Sequence, residues 1–377
     1  MSEKGCWKPR SLQEETERIA DIYHRRDTLI VMTRSHVFES LPPYTQFTKY
    51  ELKAPDDYSP KVSLFRTIWL LHSGELFGLP GQLVVDLLAV VISILCITGL
   101  IYTFMPKAIR RRKRLQKPVK RQTKVLKFSI QWHYKLGAWL IVLTTLLAVT
   151  GMCLRPPLMI PCVMTNVKPV PGSTMDSDNP WHDKLRSIRW DDHLQTWLLS
   201  TSAGFYQMKH FAQVPVRLQS APPISPMGIN AFHPNEAGEW LVGSFSGMFR
   251  WNPATGTVID YYTGKPAVRS WGRPVAAHAV AGFSFDLAQS DEVVFDYNDG
   301  MRTRTEIAHW VEMPPEIQNQ PMSLWNFALE LHVGRCYSPF LGPISDLFVF
   351  LAGLTLTLIL ISGYIVHRKH QPQKKKK

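Results

Sequence analysis

The sequence predicts a membrane protein: an α-helical bundle of three transmembrane spans with a large extracytoplasmic, mainly β domain. Residues 83–104 are almost entirely apolar, with the single charge of Asp86, and a spanning helix needs about 20 such residues. Similar apolar stretches occupy residues 128–154 and the segment that ends at 366. Residues 155–330 are instead polar and rich in Trp, with alternating apolar positions that are typical of β-strands. These patterns together define the fold class.

The same patterns divide the chain into seven segments. They are an extracytoplasmic N-terminal segment that forms part of a domain (1–66), an amphipathic helix with the first span (67–104), a basic cytoplasmic linker (105–127), the second span (128–154), the extracytoplasmic β-rich domain (155–330), an outer helix with the third span (331–366) and a basic cytoplasmic tail (367–377). Near the N-terminus, residues 11–26 suggest a helix and residues 28–35 and 45–55 suggest strands.

The net charge of +13 is concentrated beside the predicted spans. Residues 105–127 contain 11 Lys and Arg and residues 367–377 contain 6, without an Asp or Glu in either segment. Basic residues at helix ends mark the cytoplasmic side and attract anionic lipid. We therefore predict a multi-pass protein of the bacterial inner membrane with a cytoplasmic C-terminus and the lipid bilayer as its partner. Nucleic acid is excluded as a partner, since no recognition motif accompanies the charge.

One unit of sequence occurs twice. An L-H-x-G motif is followed by a Gly/Pro break, an apolar span and a small-residue pair near the end of the span. The members are Leu71, His72, Gly74, Asp86, Thr98 and Gly99 in one copy and Leu331, His332, Gly334, Asp346, Ser362 and Gly363 in the other. We expect the two Asp residues to cap helices rather than to function in the membrane, and the Thr/Ser-Gly pairs to pack helices together.

Histidines stand at the ends of all three predicted spans. The predicted topology places His72 and His332 at the outer face, and His133 and His367 at the cytoplasmic face. Paired imidazoles from facing helices are the ligands of a six-coordinate b-type haem, and two such haems would form an electron route across the bilayer. The alternative is that each interfacial histidine only makes hydrogen bonds and extends toward the headgroups.

Two stretches of the outer domain predict similar β-hairpins. They begin at Trp197 and Trp240, 43 residues apart, and each has alternating apolar residues around a turn of small residues. A third hairpin is indicated near residues 280–300. Repeats of this length occur in propeller blades, but so few predict an antiparallel β domain rather than a complete propeller. Cys153 and Cys162 flank the outer end of the second span and could form a disulfide; the sequence leaves the pairing open.

The motifs LHSGELFGLPGQLVVDLL, WHYKLGAW and LHVGR, each followed by a Thr-Gly or Ser-Gly pair, resemble the PepSY-associated transmembrane family of bacterial inner-membrane proteins. Members usually have four spans, so the resemblance implies that the first helix is missing here. The start of the chain is also not a signal peptide. Some members resemble di-haem reductases of ferric siderophores. The resemblance implies haem b, with His72, His133, His332 and His367 as its iron ligands.

Two functions therefore stay open at this stage. The first is an oxidoreductase of iron uptake, a b-haem membrane ferric reductase that passes electrons from a cytoplasmic donor to an extracytoplasmic acceptor such as a ferric siderophore. The second is a membrane-anchored ligand-binding or sensory protein without catalysis. No dinucleotide-binding or P-loop motif occurs in the sequence, so an electron donor would be a separate molecule.

Overall fold

A computed structural model describes most of the chain, which divides into two compact units. The described residues are 12, 18–225, 228–235, 238–267, 278–285, 292–297, 300–302, 315–342 and 344–370. The β unit combines residues 1–59 with 177–319, and the helical unit combines 60–176 with 320–377. The chain thus leaves the β unit, builds most of the helical unit, returns, and ends in the helical unit.

The helical unit contains the apolar helices. Its helices, in chain order, are α1 (Leu64–Ser73), α2 (Gly78–Arg114), α3 (Lys120–Trp139), α4 (Ile141–Cys153), α5 (Met159–Met164), α7 (Leu324–His332), α8 (Ser338–Leu341) and α9 (Ile344–His370). The short helix α6 (Pro315–Gln318) belongs to the β unit. Helices α2 and α9 are long and apolar enough to cross a membrane. Most of their large apolar side chains are exposed, as expected for a lipid-facing surface.

The second span differs from the sequence prediction. Instead of one helix over residues 128–154, α3 and α4 meet at Leu140 with an angle of 71° between them. The pair counts as a third span only if both helices form one broken crossing. Helix α2 also continues through Pro106 to Arg114, so the basic segment is largely helical rather than an open linker.

The repeated sequence unit is also a repeated structural unit. Ser63 caps α1 by accepting from the backbone N–H of Arg66, and Ser323 caps α7 in the same way at Asn326. Each helix has its histidine in the last turn and is followed by a left-handed glycine, Gly74 with φ 82° and Gly334 with φ 80°. Glycine adopts this conformation without strain, which places both histidines at a sharp turn before the long helix.

The β unit consists of antiparallel sheets that are each formed by consecutive strands. Sheet 1 contains β1–β4 (Ile19–Arg25, Thr28–Thr33, Val37–Ser40, Thr48–Tyr50), and sheet 2 contains β7–β10 (Leu185–Asp191, Thr196–Thr201, Gly204–Met208, Val216–Arg217). Sheet 3 contains β11–β14 (Ala231–Pro234, Trp240–Ser244, Gly247–Asn252, Thr257–Asp260), and sheet 4 contains β15–β17 (Val280–Ser284, Val293–Asp296, Gly300–Arg302). The pair β5–β6 (Val62–Ser63, Asn166–Val167) belongs to the helical unit.

The four sheets pack face to face in chain order. Successive residues of one strand point to opposite faces. In β8, Leu199 therefore joins the core shared with sheet 1, whereas Leu198 joins the core shared with sheet 3. In β12, Val242 joins the core shared with sheet 2, and Leu241 joins the core shared with sheet 4. Stacked sheets of consecutive strands are blade-like, as in propellers.

The two predicted hairpins form as expected, as β8–β9 and β12–β13. The third is β15–β16. The predicted helix near residues 11–26 is wrong over Ile19–Arg25, because these residues pair along their length with β2 and complete sheet 1. The N-terminal segment is therefore part of the same β unit as residues 177–319, and its apolar side chains share a core with sheet 2.

Candidate functional site

Two of the four predicted histidines lie side by side in the helical unit. The ring centroids of His72, at the end of α1, and His332, at the end of α7, are 6.0 Å apart, with 28° between the ring planes. The two copies of the repeated unit thus bring their equivalent histidines together. We call this arrangement the outer pair.

The His72 ring lies in a cradle on α4. Its Nδ1 is 3.1 Å from the backbone oxygen of Leu147 and 3.1 Å from Oγ1 of Thr150. A β-carbon at Gly151 would lie 3.0 Å from Cε1 of His72, closer than side chains normally pack, so the ring occupies the space that this glycine leaves. Because the Leu147 oxygen can only accept, Nδ1 bears the proton and Nε2 keeps its lone pair.

The surroundings of His72 favour the neutral imidazole. Burial lowers its pKa from the ordinary value, the neighbouring His332 lowers it further, and the bond to the Leu147 oxygen opposes both. Neutral imidazole is the form that binds metal ions.

His133 occupies a second cradle of the same kind. Its Nδ1 is 2.9 Å from Oγ1 of Thr98 on α2, and a β-carbon at Gly99 would lie 3.5 Å from its Cε1. His133 on α3 thus packs against α2, and His72 on α1 packs against α4. Gly78, which follows the His72 turn along the chain, is separated from Thr98 by 20 residues, or about 30 Å of helix, so the His133 cradle lies far along α2 from that turn.

A cleft of about 310 Å³ opens beside His133. Its lining combines apolar side chains with a few polar groups: Tyr102, Ile130, His133, Tyr134, Ile359, Ser362, Gly363 and Val366. The fourth predicted histidine, His367, stacks on the ring of Tyr134 with centroids 5.4 Å apart. His133 also contacts Tyr134, at 6.2 Å, so both members of the predicted inner pair meet at this tyrosine.

The Thr-Gly pairs contact the two cradled histidines, in addition to the helix packing that the sequence predicts for them. Both threonines are nearly buried, Thr98 at 8% and Thr150 at 6% exposure. Their signal in the sequence is the recurrence of the same dipeptide late in two spans. The third pair, Ser362-Gly363 on α9, lines the cleft, and a β-carbon at Gly363 would have open space.

Asp86 does not cap α2, contrary to the sequence prediction. It lies exposed in the third turn, and the position before the helix is Phe77. The side chain of its predicted counterpart, Asp346, lies outside the described residues. Cys153 and Cys162 are neighbours and both are free thiols.

Two neighbouring imidazoles are a ligand pair that a six-coordinate haem iron accepts. A metal–imidazole bond of about 2.0 Å, with about 1.1 Å from nitrogen to ring centre, places two opposed imidazoles about 6 Å apart. The observed separation of 6.0 Å matches this value. Within the described ranges no cluster of three or more His, Cys, Asp or Glu could hold a bare metal ion. Two histidines suffice for haem, because the porphyrin supplies the other iron ligands.

The apolar helices, the histidines at their ends and the mainly β unit define a membrane-associated protein. A family model described as the PepSY-associated TM region matches residues 101–370. The chain therefore belongs to the PepSY-associated transmembrane family, as its sequence motifs predicted. Neither a curated protein nor a solved structure matches the chain.

Close packing of α4 on α9 gives a test of the helical unit. A β-carbon at Gly353 would clash with Cγ of Met152, whereas one at Gly363 on the same helix meets nothing within 4 Å. We expect Gly353→Ala to lower the melting temperature of the detergent-purified protein by several degrees, since the buried Met152 side chain must leave its packed position. Gly363→Ala is the matched control and should melt like wild type. Equal melting of all three proteins would contradict the α4–α9 contact.

Proposed function

We propose that this protein binds b-type haem in its helical unit and transfers electrons across the inner membrane. His72 and His332 are the proposed ligands of an outer haem, and His133 and His367 those of an inner haem. The haem iron supplies the reversible one-electron chemistry. The chain holds the imidazoles, excludes water with its apolar helices, and separates the two sites across the bilayer.

The outer pair is the observation that supports this proposal most strongly. Two imidazole rings with centroids 6.0 Å apart are also compatible with simple packing. The Nδ1 of His72 is held by Leu147 and Thr150, and this leaves Nε2 available beside a second imidazole. At the inner site His133 has the same Nδ1 contact to a threonine, while His367 would have to leave the Tyr134 ring to reach iron.

The proposed direction is from a cytoplasmic donor to an extracytoplasmic ferric chelate, with iron uptake as the role. The basic residues around Arg110–Arg114 and Arg368–Lys369 mark the proposed cytoplasmic end. They also form a positively charged surface to which an acidic donor protein would be attracted. The β unit would lie outside, where a chelate of ferric iron becomes accessible.

An absorbance spectrum of the purified full-length protein tests the haem proposal. We expect a Soret band and, after dithionite, the sharpened α band of six-coordinate b-type haem, with about two haems per chain. Reduced protein mixed with a ferric siderophore should return to the oxidised spectrum. A colourless protein from haem-replete cells would contradict the proposal.

The topology can be measured separately. A reporter that is active only in the cytoplasm should give signal when fused after Arg114 or after His370, because both fusions follow basic helix ends. The same reporter inserted at Gly256, in the turn between β13 and β14, should be silent. Signal from the Gly256 fusion would place the β unit in the cytoplasm and contradict the proposed direction.

The stacked sheets of the β unit favour a second candidate function, the binding of an extracytoplasmic ligand without catalysis. A polar cleft of about 190 Å³ lies between sheets 2 and 3, lined by Asp191, His193, Leu194, Gly238, Asn252, Pro253 and Ala254. The oxygens of Asp191 already accept from two backbone N–H groups and from the Trp240 indole, so this carboxylate shapes the cleft. A colourless but folded protein would favour this second function.

A further inference from the structure

We infer that Thr98 and Thr150 are positioning residues for the iron ligands: each hydroxyl holds the Nδ1–H of one histidine and thereby directs Nε2 to the metal. The inference rests on the proposed function and adds to it the residues that select the tautomer. Neither residue belongs to the proposed ligand set.

The His72 cradle fixes the direction of its hydrogen bonds. The Thr150 hydroxyl is 2.8 Å from the backbone oxygen of Leu146, to which it donates in the usual manner of a helical threonine. Its oxygen is then available to accept from Nδ1–H of His72. The Leu147 oxygen accepts from the same Nδ1–H, so the two contacts agree on one tautomer.

The His133 cradle repeats this arrangement on a different helix. The Thr98 hydroxyl donates to the backbone oxygen of Ile94 at 2.8 Å, and its own oxygen lies 2.9 Å from Nδ1 of His133. The following glycine, Gly99 or Gly151, lies against the imidazole edge in both cradles. Two helices from different parts of the chain therefore present one histidine-binding motif, a threonine followed by glycine.

A threonine that serves only packing behaves differently, and the chain contains one. Thr144 on α4 is 1% exposed and donates to the backbone oxygen of Leu140 at 2.9 Å, as Thr98 and Thr150 do to their own helices. It is followed by Thr145 rather than glycine, and its described hydrogen bonds go to backbone oxygens of its own helix. All three threonines are thus buried and donate to a backbone oxygen of their own helix. The contact with a histidine Nδ1 is described at Thr98 and Thr150.

The proposed consequence is on the iron ligand itself. Imidazole binds iron through the Nε2 lone pair, which requires the proton to be on Nδ1. A hydrogen bond from Nδ1–H also increases the basicity of Nε2, and loss of such a bond typically weakens metal binding 10- to 100-fold. Because a more basic ligand stabilises ferric over ferrous iron, loss of the hydroxyl should also raise the reduction potential of the haem.

The test compares Thr98→Val and Thr150→Val with wild type in the full-length protein. We expect T98V to bind the inner haem about 10-fold or more weakly and to raise the potential of that haem. T150V should change the outer haem in the same direction but less, because the Leu147 oxygen still accepts from Nδ1–H of His72. Thr98→Ser and Thr150→Ser keep the hydroxyl and should restore both properties. Thr144→Val is the matched control for loss of a buried threonine and should leave both haems unchanged.

A second measurement separates this inference from the proposed function. The ¹⁵N spectrum of histidine-labelled protein reports which ring nitrogen is protonated, with or without haem. We expect Nδ1-protonated rings for His72 and His133 in wild type and an altered signal for one ring in each valine variant. Nε2-protonated rings, or valine variants with wild-type haem affinity and potential, would overturn the inference. A wild type that binds no haem would contradict the proposed function and the role in iron binding, while its ¹⁵N spectrum would still show whether the threonines select the Nδ1 tautomer.

Discussion

His72→Ala and His332→Ala should each remove the same haem and leave the other in place. Both imidazoles belong to the outer pair, so loss of either leaves the iron with one protein ligand. We expect the haem content to fall from about two to about one per chain, with identical residual spectra in both single variants and in the double variant. Quantitative pyridine haemochrome and reduced-minus-oxidised spectra measure this directly.

The controls for this prediction lie at the other site and on the β unit. His133→Ala should remove the complementary haem, and His210→Ala should retain both, because His210 is an exposed residue of the β unit. If the His72 and His332 variants lost different haems, the outer pair would not be one site. Retention of the full haem content in both would exclude them as ligands.

Phe205→Ala should strongly destabilise the β unit. Phe205 is fully buried between sheets 2 and 3, with its ring centroid 4.7 Å from that of Trp251 and 5.7 Å from that of Phe232. Removing a buried phenyl ring typically costs about 3–5 kcal/mol in the free energy of unfolding. Urea unfolding of the full-length protein, followed by tryptophan fluorescence, should show an earlier transition.

Phe285→Ala is the matched control for this change. Phe285 lies in the same unit but is 56% exposed, and its loss should change the free energy of unfolding by about 0.5 kcal/mol or less. Haem spectra should be the same for both variants at low urea, since Phe205 and Phe285 both belong to the β unit. Equal unfolding of the two variants would contradict the stacked arrangement of sheets 2 and 3.

Local sequence patterns predicted the helices and hairpins that are determined by neighbouring residues in the chain. The apolar runs at α2 and α9 exceed what a soluble helix needs, and the alternation after Trp197 and Trp240 could only suit strands. The outer pair was also predictable, because two copies of L-H-x-G with the same left-handed glycine present equivalent histidines.

Features that depend on distant partners were harder to predict. Residues 19–25 have no strong strand pattern of their own and form β1 because they hydrogen-bond to β2 along their length. The break at Leu140 follows no proline, so no local signal indicated a division of the second span. The threonine cradles needed the relative placement of four helices, since a Thr-Gly pair alone is equally suited to packing.

The interruption of the β unit by the helical unit has a consequence for biosynthesis. The apolar face of sheet 1, including Ile30, Met32 and Val37, has its core partners in sheet 2, which begins at Leu185. At about 5–20 residues per second, sheet 1 would wait about 10–30 s for these partners to be synthesised. During that time its apolar face is exposed and prone to aggregation, so we expect a chaperone to hold the nascent segment until the intervening helices have entered the membrane.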